Sequence, residues 1–172
     1  MELTYIKDAA QPVGDAGDDY IGFDRFGRTA DMNWRKTSDS SELDHIQYGY
    51  NRASNRTWRK NLVATSGQDE AYRYDGLYQL SDFSRGNLNI NHTLVGAIPE
   101  NQEQFSYDPT GNWLGYVRKS DGSVDLDQTR VNNKDNQITQ IDASSEGIVH
   151  DKAGNTTKCR RTQAATGARV LP

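Results

Sequence analysis

Phe105-Ser106-Tyr107-Asp108-Pro109-Thr110-Gly111-Asn112-Trp113 decides the fold of this chain, because its Tyr-Asp-x-x-Gly core returns in degraded form along most of the sequence. The other copies are Phe23-Asp24-Arg25-Phe26-Gly27, Tyr50-Asn51-Arg52-Ala53-Ser54, Tyr74-Asp75-Gly76-Leu77-Tyr78, Asn132-Asn133-Lys134-Asp135-Asn136 and His150-Asp151-Lys152-Ala153-Gly154. In chain order, with Tyr107 heading the fourth copy, their first positions lie 27, 24, 33, 25 and 18 residues apart. Such spacing belongs to repeat architectures, in which each unit packs on its neighbours.

Each position has a physical reason to recur. A second large residue stands two before the first motif position in most copies (Ile21, Tyr48, Tyr72, Phe105, Ile148), with Arg130 the exception. A spacing of two puts both side chains on one face of a strand. The Asp or Asn that follows accepts backbone hydrogen bonds from residues just ahead of it and stops the strand. Gly27, Gly111 and Gly154 supply the positive φ that leaves the turn, and Asn136 is the next best residue for it. Ser54 and Tyr78 depart from this pattern, so a strained or differently shaped turn is expected there.

Working outward, Asp121-Gly122 separates Asn112–Lys119 from Val124–Val131, a strong hairpin signal. With those two residues as the turn, Arg118 faces Asp125, Val117 faces Leu126 and Trp113 faces Arg130. Ser66-Gly67, between Asn61–Ala64 and Ala71–Tyr74, predicts a second hairpin. No stretch carries helical periodicity. The fold class expected is all-β, with repeated β-hairpins forming a curved strip of antiparallel sheet. Residues 1–19 read as a strand and linker, 20–157 as the repeat region and 158–172 as a disordered tail.

Composition supports a folded but thin molecule. Apolar residues are 34% of the 172 and mean hydropathy is −0.91, low for a large closed core, yet nine Tyr, four Phe and three Trp argue against disorder. A net charge of −4 offers no electrostatic footprint for nucleic acid. No apolar run approaches the roughly 18 residues of a membrane helix, and no secretory signal opens the chain. One cysteine, Cys159, excludes an internal disulfide. The Gly14–Asp19 cluster lacks the ligand spacing of a calcium loop.

Candidate chemistry is sparse. Asp24, Asp75, Asp108 and Asp151 offer carboxylates, but a residue appearing once per repeat is better explained as a turn former than as a glycosidase acid. His45, His92 and His150 are scattered, and Asp121, Asp125 and Asp127 surround a hairpin tip that needs no cation. No catalytic, cofactor or metal site is assigned. The structural motif residues are Phe23, Asp24, Gly27, Tyr50, Asn51, Tyr74, Asp75, Tyr107, Asp108, Gly111, Asp151 and Gly154. Trp34, Trp58 and Trp113 lie at unequal offsets from their motifs and are the candidates for ligand-facing aromatics. The motif aromatics Tyr48, Tyr50, Tyr72, Tyr74, Phe105 and Tyr107 are expected to pack on their equivalents in the next repeat.

Tyr107-Asp108-Pro109-Thr110-Gly111-Asn112, with Tyr72-Arg73-Tyr74-Asp75 and His150-Asp151-Lys152-Ala153-Gly154-Asn155, resembles the YD repeats of Rhs proteins, wall-associated and toxin-complex proteins and teneurins. The resemblance covers about residues 20–157. It implies a partial shell of β-hairpins, a non-catalytic role in enclosing or displaying a toxin domain, and other YD-repeat segments as partners. It implies carbohydrate as an alternative partner, and a family often exported or attached to surfaces. Six repeats are few for a closed shell, so the chain reads as a short piece of such a strip.

Overall fold

The computed structural model describes residues 2–4, the first three through their backbone only, together with 22–94 and 98–159. Ile21, most of the 1–19 linker and the tail beyond Cys159 lie outside the described residues. The chain divides into two compact units, Met1–Glu100 and Asn101–Pro172. Both are all-β and antiparallel, with no helix among the described residues.

The first unit holds β1 (Glu2–Thr4), β2 (Asp31–Arg35), β3 (Glu42–Tyr50), β4 (Arg56–Asn61), β5 (Asp69–Tyr74) and β6 (Leu80–Gly86), each paired with the next. The second holds β7 (Asn101–Tyr107), β8 (Trp113–Ser120), β9 (Ser123–Asn132) and β10 (Ile138–Ile141) in the same up-and-down order. A separate pair follows, β11 (Val149–His150) with β12 (Thr156–Lys158). Lys158, the first residue of the expected tail, is the last residue of β12.

The Asp121-Gly122 hairpin forms, but its register changes partway. Both turn residues have positive φ, 48° and 79°, as the two-residue turn that follows strand twist requires. Ser120 faces Ser123 and Lys119 faces Val124 as expected. A bulge at Asp125 then moves Leu126 opposite Arg118 and Asp127 opposite Val117. The bulged Asp125 carboxylate accepts the Ser120 hydroxyl at 2.5 Å and stays 3.7 Å from Arg118 Nε. The Ser66-Gly67 connection also differs from expectation, because Leu62, Val63 and Ala64 belong to the loop rather than to a strand. Asn61 causes this: its side-chain oxygen accepts the amides of Val63 and Ala64, turning the chain away from the ladder.

The interior is thin and largely polar. Among the described residues the buried apolar side chains are Ile46, Leu88 and Ile141, against buried Asn33, Asp69, Glu70, Ser84 and Gln128. Polar groups so placed are mostly bonded, the side-chain oxygen of Asn33 being an exception. Asp69 accepts the amides of Asn61 and Leu88. Glu70 takes the Tyr72 hydroxyl in a very short bond and Arg85 at 2.7 Å. Burial and then Glu70 push the Tyr72 phenol up to about 12.

Candidate functional site

The motif builds one turn, repeated. At Asp24, Asn51, Asp75, Asp108, Asn133 and Asp151, a side-chain oxygen accepts the amides two and four residues on, all between 2.9 and 3.0 Å. The fourth residue of each turn has positive φ: Gly27 73°, Ser54 66°, Tyr78 63°, Gly111 89°, Asn136 59° and Gly154 88°. Ser54 and Tyr78 thus adopt the same turn as the glycines and bear the left-handed strain. Of the two outcomes expected at those positions, a different turn shape does not occur. The residue before each Asx pairs with the one five beyond it, and most of these hairpins are followed by a bulge, at Thr57, Ser81, Leu114, Thr139 and Thr157.

A seventh turn forms without the full motif. Asn89 accepts the amides of Asn91 and Thr93, and His92 has φ of 56°. It divides the longest gap between copies. Leu88 replaces the aromatic there, and the surviving signal is Asn followed three residues later by His, both tolerant of left-handed backbone. This turn lies over Trp58, whose ring stacks on His92 with centroids 3.7 Å apart and planes 2° from parallel.

Repeats are joined through their turns. The hydroxyls of Tyr50 and Tyr74 donate to the carbonyls of Thr29 and Arg56 at 2.8 and 2.7 Å, and Asn132 Nδ2 reaches Trp113 O at 3.2 Å. In every case the residue preceding one Asx bonds the residue five past the previous Asx. The fifth turn residue also reaches the fourth of the next turn. Arg28 donates to Ser54, and Asn112 Nδ2 to Asn136 Oδ1 at 2.9 Å. Tyr50 and Tyr74 therefore link repeats by hydroxyl bonds, while the rings of Tyr72 and Phe105 meet their cross-strand neighbours Phe83 and Tyr116. At Tyr50, Tyr74, Tyr72 and Phe105 the expected ring-on-equivalent-ring ladder gives way to this arrangement, because successive motifs are two strands apart, roughly 9.6 Å, too far for ring stacking.

The motif acids are occupied by this work. Hydrogen bonds from Asn112 and Thr110 hold the Asp108 carboxyl down to about 2. Burial opposes ionisation of Asp24, and bonds from Arg28 and Phe26 outweigh it, leaving the pKa lowered. The Asn155 side chain and amide lower Asp151 likewise. His45 bridges Asp31 (2.8 Å) and Glu42 (3.3 Å) beside fully buried Asn33. Among the described residues no group of three His, Cys, Asp or Glu is placed to hold a metal ion. Cys159 is exposed.

The three tryptophans have different surroundings. Trp34 sits half-buried in β2 opposite Asp44 and Leu3. Trp58 is covered by His92, and its indole fills the space over Gly49, where a Cβ would come within 1.9 Å of Nε1. Trp113 remains 37% exposed. Its ring meets Phe105 edge-on at 5.2 Å and Tyr116 at 5.6 Å, with the Arg130 guanidinium 4.7 Å from its centre. It lines a concavity of about 300 Å³ with Gly111, Asn112, Arg130, Asn132, Asn136 and Ile138. This hollow lies between two successive turns, and a smaller one of about 200 Å³ lies between the first two turns of the first unit, lined by the starts of those turns from Asp24 to Arg52. The larger is the candidate site: an aromatic face, a cation and three carboxamides.

No family model matches the chain, and no curated protein matches it. Among solved structures, it is similar to a chain of the crystal structure of TcdB2-TccC3, with a TM-score of 0.52 and 18% identity over 76% of this chain. A second likeness, to the crystal structure of TcdB2-TccC3-Cdc42, has a TM-score of 0.45 and 16% identity over 76% of this chain. The chain spans 8% and 9% of the lengths of those structures, and the first likeness places its antiparallel β-fold alongside a segment of a far longer molecule.

Proposed function

We propose that this chain is a non-catalytic structural module of the YD-repeat type, part of a shell or surface strip that encloses or displays a partner such as a toxin domain. The observation that carries the reading is the chain of bonds from Tyr50 to Thr29, Tyr74 to Arg56 and Asn132 to Trp113, each ending on the backbone of the preceding repeat. Such nearest-neighbour bonding extends to any number of repeats. The likeness to the TcdB2-TccC3 toxin-complex structure supports it. The test is to read the gene on both sides and express the chain with whatever adjoins it. Further YD repeats and a protease-resistant product retaining a bound domain are expected. A reading frame without further repeats, yielding a stable monomer, sinks the proposal.

A second reading, carbohydrate binding, is favoured by the Trp113 concavity. An exposed indole face beside Asn112, Asn132 and Asn136 offers stacking for a sugar ring and donors and acceptors for its hydroxyls. Glycan-array binding that disappears in Trp113→Ala supports this reading, and an array without signal removes it.

A further inference from the structure

We infer that the row of turns at one end of the first unit docks on an anionic lipid surface. The turns at Asp24, Asn51 and Asp75 stand side by side. Arg28 of the first donates to Asn51 O of the second at 3.2 Å, and the Tyr74 hydroxyl beside the third donates to Arg56 O just past the second at 2.7 Å. The first and third tips carry large apolar side chains turned to solvent: Phe26, Leu77 and Tyr78 are 65%, 66% and 63% exposed. The turn does not need them, because it rests on the Asx oxygen and the backbone. Where Phe26 and Leu77 hold the third turn position, the second unit has Thr110, Asp135 and Ala153.

Charge divides in the same way. Residues 22–30, 50–57 and 73–80, which build the row, carry Arg25, Arg28, Arg52, Arg56 and Arg73 against Asp24 and Asp75, in a chain where acids outnumber bases 24 to 20. Both of those acids are engaged by the amides of their own turns. Arg25 and Arg52 are exposed, and among the described residues no carboxylate forms an ion pair with either. The corresponding residues of the second unit, 106–113, 131–138 and 149–156, carry Lys134 and Lys152 against Asp108, Asp135 and Asp151.

Cations set among apolar tips suit a bilayer surface, where guanidiniums meet anionic headgroups and rings enter the boundary beneath them. The Arg25 and Arg28 guanidiniums lie 4.7 and 5.0 Å from the centre of the Phe26 ring, so cation and ring reach the surface together. Neighbouring turns stand roughly 9.6 Å apart, which keeps the apolar tips separate instead of joining them in the continuous patch that seats a protein partner. A fluid headgroup layer takes separate insertions, whereas a rigid partner needs a pocket for each.

The test is co-sedimentation of the full chain with vesicles of phosphatidylserine and phosphatidylcholine in equal parts, against vesicles of phosphatidylcholine alone, at two salt concentrations. At least about tenfold tighter binding to the mixed vesicles is expected, with the advantage falling as salt rises. Arg25→Gln with Arg52→Gln should bind the mixed vesicles about 25-fold more weakly, roughly fivefold for each cation. Phe26→Ser with Leu77→Ser should weaken binding at both salt concentrations, and Lys134→Gln, at the second turn position in the second unit, should leave it unchanged. The wild-type comparison of the two vesicles stands without any variant. Equal binding to both vesicles, or to neither, overturns the inference. So does binding of soluble polyglutamate as tight as that of the mixed vesicles and indifferent to Phe26→Ser with Leu77→Ser, which would assign the row to an acidic protein instead.

Discussion

The Tyr74 hydroxyl donates to the backbone carbonyl of Arg56 at 2.7 Å, tying one repeat to the one before it. The phenol thus serves as a long-reach donor as well as an apolar plate, and this explains how Asn132 can stand in the same place: it too carries a donor that reaches the preceding repeat. Tyr74→Phe keeps the ring and removes the donor, so a loss of about 1 kcal/mol is expected. Tyr50→Phe should cost a similar amount. Urea unfolding checks both, with Tyr78→Phe as a control because Tyr78 is 63% exposed.

His150 holds the same motif position, and its Nε2 is buried without a hydrogen-bond partner. An unsatisfied buried polar atom costs about 1–3 kcal/mol. His150→Tyr or His150→Asn, supplying the donor used at the other repeats, should raise the unfolding midpoint. An unchanged or lower midpoint for both variants would show that the preceding carbonyl is out of reach at this end.

The Asp108 turn should lose stability in acid. Its carboxyl is depressed from about 3.8 in the unfolded chain to about 2 in the fold. The contribution is therefore complete above the unfolded value and is lost as pH falls through the folded one. Asp24 and Asp151 carry shifts of the same sign. Asp108→Asn should flatten the pH dependence of the unfolding midpoint between about pH 4 and pH 2. A profile identical to wild type would refute the assignment.

Gly49 makes room for Trp58. In Gly49→Ala the new methyl would sit 1.9 Å from Trp58 Nε1, so the indole must leave its stack on His92. Overpacking of this kind costs about 1–3 kcal/mol. The expected readings are a lower unfolding midpoint and a shifted tryptophan emission.

Tyr78 is a side chain in left-handed backbone with little contact to compensate, 63% exposed at φ 63°. Tyr78→Gly should stabilise the protein by roughly 0.5–1 kcal/mol, the relief of that strain less the entropy a glycine loses on folding. Thermal unfolding of the two proteins gives the answer.

The turns were legible in the sequence because everything that makes them is local. One Asx oxygen, the amides two and four residues ahead and a residue tolerant of positive φ all lie within five positions, so the motif and the turn coincide at Asp24, Asn51, Asp75, Asp108, Asn133 and Asp151. The thin polar interior follows from composition in the same direct way. Elsewhere the determining partner is distant in sequence. The bulge at Asp125 shows only in the pairing of β8 with β9, where it moves the hairpin register by one. The turn at Asn89 lost its aromatic and is recognised by its hydrogen bonds and by the Trp58 ring it covers. Three tryptophans look alike in sequence, yet only Trp113 combines substantial exposure with the lining of a hollow, because what buries an indole is contributed by other strands and turns. Local hydrogen bonding wrote the repeat into the sequence; which surfaces the repeats leave open was decided by contacts that no single motif contains.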